Sequence, residues 1–257
     1  MSTKMASTTT MLKTKVFNEL LWPFAQLSDD YVVLDTETTG LPDEQGLPDI
    51  VTLGLVVVSN RVVVDAVEFS IRPERSITPE AEAIHGISND QAAGFEPLAN
   101  QWQNVLPYLS EQLIVIHNAS FDWPVLCHHI ACYHLEMPTI QGVFCSQKAA
   151  TPWAQAHQLK CSQRGPSLDM LTQVLAVHSH RADHEGQHGA KVDSQQTAEV
   201  VEELRSLAKQ SGPSENHELD DFLKPRILAA KKGEFSDKTV DDIFDEVNQD
   251  EINKKEK

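Results

Sequence analysis

Along this 257-residue chain the apolar positions switch between an unbroken or two-residue period and a period near 3.6, the pattern of strands interleaved with helices. Tyr31–Leu34 is a run of apolar β-formers leading to Gly40, which predicts a strand entering a turn. Two longer runs, Ile50–Val58 and Val62–Ile71, flank Ser59-Asn60-Arg61 and predict a hairpin that extends the same sheet. Pro79–Gly86 reads as a helix with Pro near its first position and Gly at its end. Trp102–Leu109 predicts another helix, Leu113–Ile116 a strand, and Trp123–Leu135 the helix that follows it. Ser167–Val177 and Gly189–Lys209 have helical periodicity with one apolar face. Val16, Leu20, Leu21, Phe24 and Leu27 recur at near-helical spacing, broken at Pro23, and predict a short capping helix. In the tail, Val240, Ile243, Phe244 and Val247 fall at i, i+3, i+4 and i+7. They predict an amphipathic helix that could dock on a protein partner or back onto its own domain.

The length suits one compact domain with extensions: an N-terminal extension over 1–28, the domain over 29–210, and an acidic tail over 211–257. No apolar run approaches the roughly 18 residues of a membrane span, and Met1–Lys15 lacks an apolar leader core, so a cytoplasmic protein without membrane association is expected. Cys127, Cys132, Cys145 and Cys161 show no CxxC spacing and read as thiols rather than a zinc site. The formal charge of −17 excludes a tight, extended nucleic-acid binder, because such affinity comes from neutralising phosphates with Lys and Arg. Residues 211–257 carry 13 acidic and 8 basic side chains, leaving −12 for the rest. The acidity therefore belongs to the domain as well as the tail. An enzyme gripping one nucleic-acid end through bound cations needs few basic contacts.

Candidate chemistry begins at the end of the first strand. Alternate strand residues share a face, so Asp35 and Glu37 project side by side while Thr36 points away. Two anions held that close suit Mg²⁺ or Mn²⁺, which favour oxygen donors and retain open positions. A third acid, Asp122, follows the strand Leu113–Ile116 across the polar turn His117-Asn118-Ala119-Ser120-Phe121; that is where α/β proteins place catalytic groups, although Asp at a helix start is also an ordinary N-cap. The His-rich stretch His178–His188 leads into the last long helix. His188 and Asp193 stand five apart, about 140° on a helix, so they suit a His on the lead-in loop and an Asp on the helix. Asp193 could then bind metal while His188 reaches a reacting water. His178 and Asp183 have the same spacing, but no predicted helix supports that Asp, so 188/193 is preferred. The remaining loop histidines read as solvated side chains, with a transition-metal site as the lesser alternative.

Asp35-Thr36-Glu37, Asn118-Ala119-Ser120-Phe121-Asp122 and the segment from His188 through Asp193 to Glu199 resemble the three ordered motifs of the DEDDh 3′→5′ exonucleases, nearest to the proofreading epsilon (DnaQ-like) branch. Ile71-Arg72-Pro73 and Pro79–Ile87 also resemble connecting segments of that family, and the similarity runs over residues 30–208. The resemblance implies a ribonuclease-H-like α/β fold with a mixed five-stranded sheet flanked by helices. It implies Asp35, Glu37, Asp122 and Asp193 as ligands of two Mg²⁺ or Mn²⁺ ions, and His188 as general base. Thr38, His85 and Asn118 would lie near the terminal nucleotide. In such a site two ions about 4 Å apart clamp the scissile phosphate, and an imidazole, which exchanges its proton near neutral pH, activates water. The implied reaction releases nucleoside 5′-monophosphates from single-stranded or frayed 3′ ends, with DNA favoured. Two departures stand out: Thr52-Leu53-Gly54 has Thr where the family often has an acid, and the tail after 210 matches no family segment.

The same motifs serve RNA 3′→5′ exonucleases resembling ribonuclease T or oligoribonuclease, which differ in contacts to the 2′-OH. A non-catalytic scaffold is the rival from another class. Four acids and a base are more than a binding module requires.

Overall fold

The computed structural model describes residues 20–184 and 187–209; the tail helix expected around Val240–Val247 lies outside the described residues. The described residues divide into two compact units: Ser28–Ser146 with His178–Glu199, and 20–27 with Gln147–Val177 and 200–209.

The first unit is built on a five-stranded sheet of β1 (Tyr31–Thr38), β2 (Ile50–Ser59), β3 (Val62–Ser70), β4 (Leu113–Ile116) and β5 (Gly142–Cys145), ordered β3-β2-β1-β4-β5. β1 runs antiparallel to β2 and parallel to β4; β2–β3 is antiparallel and β4–β5 parallel. The sheet is therefore mixed, as expected. β1 sits in the middle with Tyr31 to Leu34 all buried, which is why it reads as a continuous apolar run rather than an alternation. Edge strand β3, by contrast, exposes Val62, Val63 and Val64.

Helices α2 (Pro79–His85), α3 (Asn89–Ala92), α4 (Leu98–Leu109) and α5 (Ala119–Cys132) belong to this unit. Thr78 caps α2 by accepting from the Ala81 N–H, and Gly86 ends it in the left-handed conformation at φ 73°; there glycine avoids the Cβ penalty. Ser88 and Gln91 form a reciprocal capping box on α3. Trp102, Val105 and Leu109 of α4 and Val125, Leu126 and Ile130 of α5 join Val32, Leu34, Leu53, Leu55 and Ile114 in one core cluster. Trp102 Nε1 donates to the Glu136 carbonyl at 2.9 Å, so its one polar atom is satisfied.

In the second unit, α1 (Trp22–Ala25), α6 (Ser146–Ala156) from Gln147 onward and α7 (Leu168–Leu175) bury Phe24, Trp153 and Leu171. The last helix, α8 (Ala190–Lys209), belongs to the first unit as far as Glu199. Within the second unit Arg205 donates to the Leu27 carbonyl.

Three differences from the sequence pattern bear on the site. α5 starts at Ala119 rather than Trp123 because Asn118 adopts a left-handed φ of 64° and turns the chain at once. Asp122 consequently stands in the first helical turn, not at the N-cap. The stretch His180–His184 forms a 3₁₀ turn where a plain loop is expected. β5 and α6 are absent from the periodicity: β5 is four residues long and α6 contains Pro152. Among the described residues no helix is long and apolar enough to cross a membrane, and the four cysteines form no disulfide.

Candidate active site

The carboxyl ends of β1 and β4 and the first turn of α8 supply the acids. β1 carries Asp35 and Glu37, and a shift of register after Glu37 sets Thr38 opposite Ile50 of β2. β4, its parallel neighbour, delivers Asp122 through the Asn118 turn. Thr36, expected to point away from the site, instead fixes Asp122: its N–H and Oγ1–H both donate to Asp122 Oδ1, at 3.0 and 2.7 Å.

Gly54 brings in the third element. It lies opposite Asp35 in the β1–β2 register, and a Cβ there would stand 2.1 Å from the Ala190 carbonyl carbon. Only a bare backbone admits the start of α8 so close to the sheet. Two hydrogen bonds hold it: the Lys191 N–H donates to Glu68 Oε2 at 3.0 Å, and Ser194 Oγ donates to the Gly54 carbonyl at 3.2 Å. The result is convergence. One donor atom each from Glu37, His188 and Asp193 lies within 4.8 Å of the others.

The electrostatics of the cluster are those of crowded anions. Asp35 keeps some exposure, yet burial of its carboxyl and repulsion from Asp122, Asp193 and Glu37 push it well above the ordinary carboxylate range. Burial and Asp193 do the same to Glu37. Burial raises Asp122 to about 7 against the opposing Thr36 hydrogen bonds. Asp193 goes the other way: burial alone would raise it, but Arg181 and His188 hold it below the usual range.

Arg181, from the 3₁₀ turn, is the site residue the sequence pattern did not single out. Its Nε and Nη2 donate to Asp193 Oδ1 and Oδ2, each at 2.6 Å. It also opposes the upward shifts of Asp35 and Glu37. The signal available was one Arg in a His-rich loop just ahead of an acid cluster. His188 Nδ1 shares Asp193 Oδ2 with Arg181 Nη2, at 3.0 Å.

His85 is buried and receives the Ile87 N–H on Nδ1 at 3.0 Å, which places the ring hydrogen on Nε2. That nitrogen is buried and makes no hydrogen bond of good geometry; the acceptor beside it is the Thr38 carbonyl. Burial pushes His85 below the ordinary imidazole range, with His188 adding to the effect against the Thr38 carbonyl. The His188 N–H bonds to the Ile84 carbonyl at 3.3 Å, so the two histidine segments are joined. Thr38 Oγ1 donates to the Gly40 carbonyl at 2.8 Å, and Asn118 Oδ1 accepts from Ser120 Oγ at 2.7 Å. The competing pair, His178 Nε2 and Asp183 Oδ2, is 2.8 Å apart but solvent-exposed; it groups with His180 rather than with the acids.

This donor set fits a divalent cation. Oxygen donors from strand and helix converge, buried carboxylates are held against mutual repulsion, and the Arg181 guanidinium already supplies positive charge to one of them. Thr52 Oγ1, opposite Glu37 in the sheet, is a further buried polar atom without a partner.

A mixed sheet of this order flanked by helices is the ribonuclease-H-like fold. The chain belongs to the Exonuclease family (RNase_T), whose model matches residues 32–201. It is 27% identical over 201 residues to the PolC-type DNA polymerase III of Thermotoga maritima, covering 76% of this chain and 14% of that protein. It is 38% identical over 104 residues to the DNA polymerase III subunit epsilon of Rickettsia prowazekii, covering 39% of this chain and 44% of the relative. The chain thus spans less than half the length of either. Among solved structures, the nuclease domain of 3′hExo, a DEDDh family member bound to rAMP, superposes with a TM-score of 0.50 at 14% identity, over 70% of this chain and 94% of that one. A second model, Antitoxin ParD, matches residues 197–248, most of which lie outside the described residues.

Proposed function

We propose that residues 29–210 form a divalent-metal-dependent 3′→5′ exonuclease that removes nucleoside 5′-monophosphates from the 3′ ends of DNA. The observation that carries this reading is the meeting of Glu37, His188 and Asp193 within 4.8 Å, beside Asp35 and the Thr36-anchored Asp122. Buried acids repelling one another are costly unless a cation joins them. Mg²⁺ or Mn²⁺, two ions in the full assembly, would be held by Asp35, Glu37, Asp122 and Asp193 and would polarise the scissile phosphate and neutralise its developing charge.

The chain's own groups do the rest. With its Nδ1–H given to Asp193 Oδ2 at 3.0 Å, His188 presents Nε2 as the basic nitrogen, the arrangement by which a carboxylate fixes a catalytic imidazole's tautomer. Nε2 takes a proton from water as the water oxygen bonds to phosphorus and the bond from phosphorus to the 3′-oxygen breaks; that oxygen then gains a proton. His85, held below the ordinary imidazole range by burial, offers its Nε2–H to the terminal nucleotide in place of the Thr38 carbonyl. Thr38 and Asn118, at the ends of β1 and β4, border the same nucleotide.

DNA is favoured because the polymerase III relatives are DNA enzymes by name. The experiment uses 5′-labelled single-stranded DNA and an RNA of matched sequence, each with Mg²⁺ or with chelator. The expected result is metal-dependent shortening from the 3′ end, faster on DNA. Faster loss of RNA would reverse the substrate assignment, and absence of metal-dependent shortening on both would remove the enzyme reading.

A further inference from the structure

The 3₁₀ turn that delivers Arg181, together with His178 just before it, carries a second set of donors outside the acid cluster. One ligand atom each from His178, His180 and Asp183 lies within 4.8 Å of the others. His178 Nε2 and Asp183 Oδ2 are already 2.8 Å apart, and the two imidazoles meet edge-on with ring centroids 5.2 Å apart. The set is anchored from below. His180 Nε2 lies 2.7 Å from Glu199 Oε1, and the His180 N–H donates to Gln196 Oε1 at 2.9 Å, so α8 holds the turn by side chain and by backbone. A carboxylate partner on a ring nitrogen is what orients a metal-ligating histidine in most sites.

We propose that His178, His180 and Asp183 form a binding site for a borderline transition-metal cation of the Zn²⁺ class. Two imidazoles with one carboxylate make a donor set that zinc accepts and that Mg²⁺, which prefers all-oxygen octahedral surroundings, does not. Donors around a tetrahedral zinc ion at its usual bond lengths of about 2.0–2.1 Å stand about 3.3 Å apart. His178 Nε2 and Asp183 Oδ2 stand at 2.8 Å, and all three atoms lie within 4.8 Å of one another, a set that brackets that spacing. Because His178 and Asp183 are exposed, with side-chain accessibilities of 61% and 57%, their side chains can close the remaining gap by small torsional changes without disturbing a core. Water completes the coordination. The ligands lie on both sides of Arg181 in sequence, so an ion bound there braces the turn from which Arg181 reaches Asp193 at 2.6 Å.

The test separates this site from the acid cluster. Full-length protein carrying Asp35→Asn and Glu37→Gln, which removes two donors of the inner cluster, is freed of metal and titrated with Zn²⁺ by calorimetry. One ion per chain is expected, with affinity falling at least tenfold when His178→Ala or Asp183→Ala is added. Circular dichroism should be the same for all, since both added substitutions are at exposed side chains. Zn²⁺ should also raise the thermal midpoint of the parent and not of the His178→Ala form. Absence of zinc binding in the parent, or binding indifferent to His178 and Asp183, would overturn the proposal and leave the nuclease reading untouched.

Discussion

Arg181 occupies both carboxylate oxygens of Asp193, Nε on Oδ1 and Nη2 on Oδ2, each at 2.6 Å. A carboxylate gripped in this bidentate way is strongly committed, yet Asp193 is also the acid that α8 places against Glu37. The guanidinium therefore offsets the repulsion among the acids, and under the proposed metal site it would have to yield Asp193 to an arriving ion. Arg181→Ala should lower the thermal midpoint in chelator, since breaking a largely buried pair costs on the order of 3 kcal/mol, reduced by whatever the acids recover on binding protons. It should raise Mn²⁺ affinity about tenfold, or ~1.4 kcal/mol, with both changes read by calorimetry and thermal melts. Unaltered Mn²⁺ affinity would mean that Arg181 and the cation do not compete.

His188 and His178 each stand five residues before an Asp and each bonds to it, at 3.0 and 2.8 Å. Only the first pair shares its Asp with the acid cluster. His188→Gln should reduce kcat by about 10²–10⁴, the usual contribution of a general base, with KM and the circular dichroism spectrum little changed. His178→Ala should leave hydrolysis in zinc-free buffer as it was. The opposite ranking in steady-state kinetics would transfer the role to the exposed pair.

The raised acids make a prediction about pH. A carboxyl whose pKa is higher in the folded protein than in the unfolded chain binds more protons when folded over the interval between the two values, so it destabilises the fold as pH rises through that interval. For Asp122 the interval runs from the ordinary value of 3.8 to about 7. Asp122→Asn keeps an oxygen to accept from Thr36 but cannot ionise. In chelator, the stability of the variant relative to the parent should grow as pH rises from about 4 to about 7 and stay constant above. Urea melts across that range measure it. A difference independent of pH would show that Asp122 ionises in the folded protein as readily as in the unfolded one. Adding Mg²⁺ should stabilise the parent more at pH 8 than at pH 5, because the ion and the proton compete for the same oxygens.

The parts of this site that were legible in the sequence are those where one local rule decides. Asp35 and Glu37 share a face because a strand alternates, and β4 was readable because Leu113–Ile116 has no competing period. Asp122 was found but misplaced, since its position depends on the left-handed φ of Asn118, which leaves no trace in hydrophobic periodicity. Thr36 was assigned to the far side by alternation, correctly for its strand, but the Asp122 carboxylate comes round to meet its N–H and hydroxyl. Arg181 was missed because its partner is 12 residues away across a 3₁₀ turn, and no spacing rule links the two. Tertiary contact, rather than local propensity, makes those last two assignments.

Gly54 offers the sharpest test of how the fold assembles the site. Its neighbours across the β2–α8 approach are backbone atoms, the Ala190 carbonyl carbon at 2.1 Å and the Lys191 nitrogen at 2.4 Å from an added Cβ, so no side-chain rotation can relieve the overlap. The start of α8 has to move away from the sheet. The hydrogen bonds from the Lys191 N–H to Glu68 and from Ser194 to the Gly54 carbonyl would lengthen with it, and Asp193 would withdraw from Glu37. Gly54→Ala should therefore cost about 1–3 kcal/mol of stability, the usual penalty of overpacking, and abolish Mn²⁺ binding at the acid cluster while the protein remains folded. Gly94→Ala serves as the control: the nearest atom to its added Cβ is the Gln91 carbonyl oxygen at 3.4 Å, an ordinary contact, so stability and Mn²⁺ affinity should match the parent. Thermal melts paired with Mn²⁺ titration read both effects. A folded Gly54→Ala protein that binds Mn²⁺ like the parent would mean that Asp193 does not need the close approach of α8 to reach the ion.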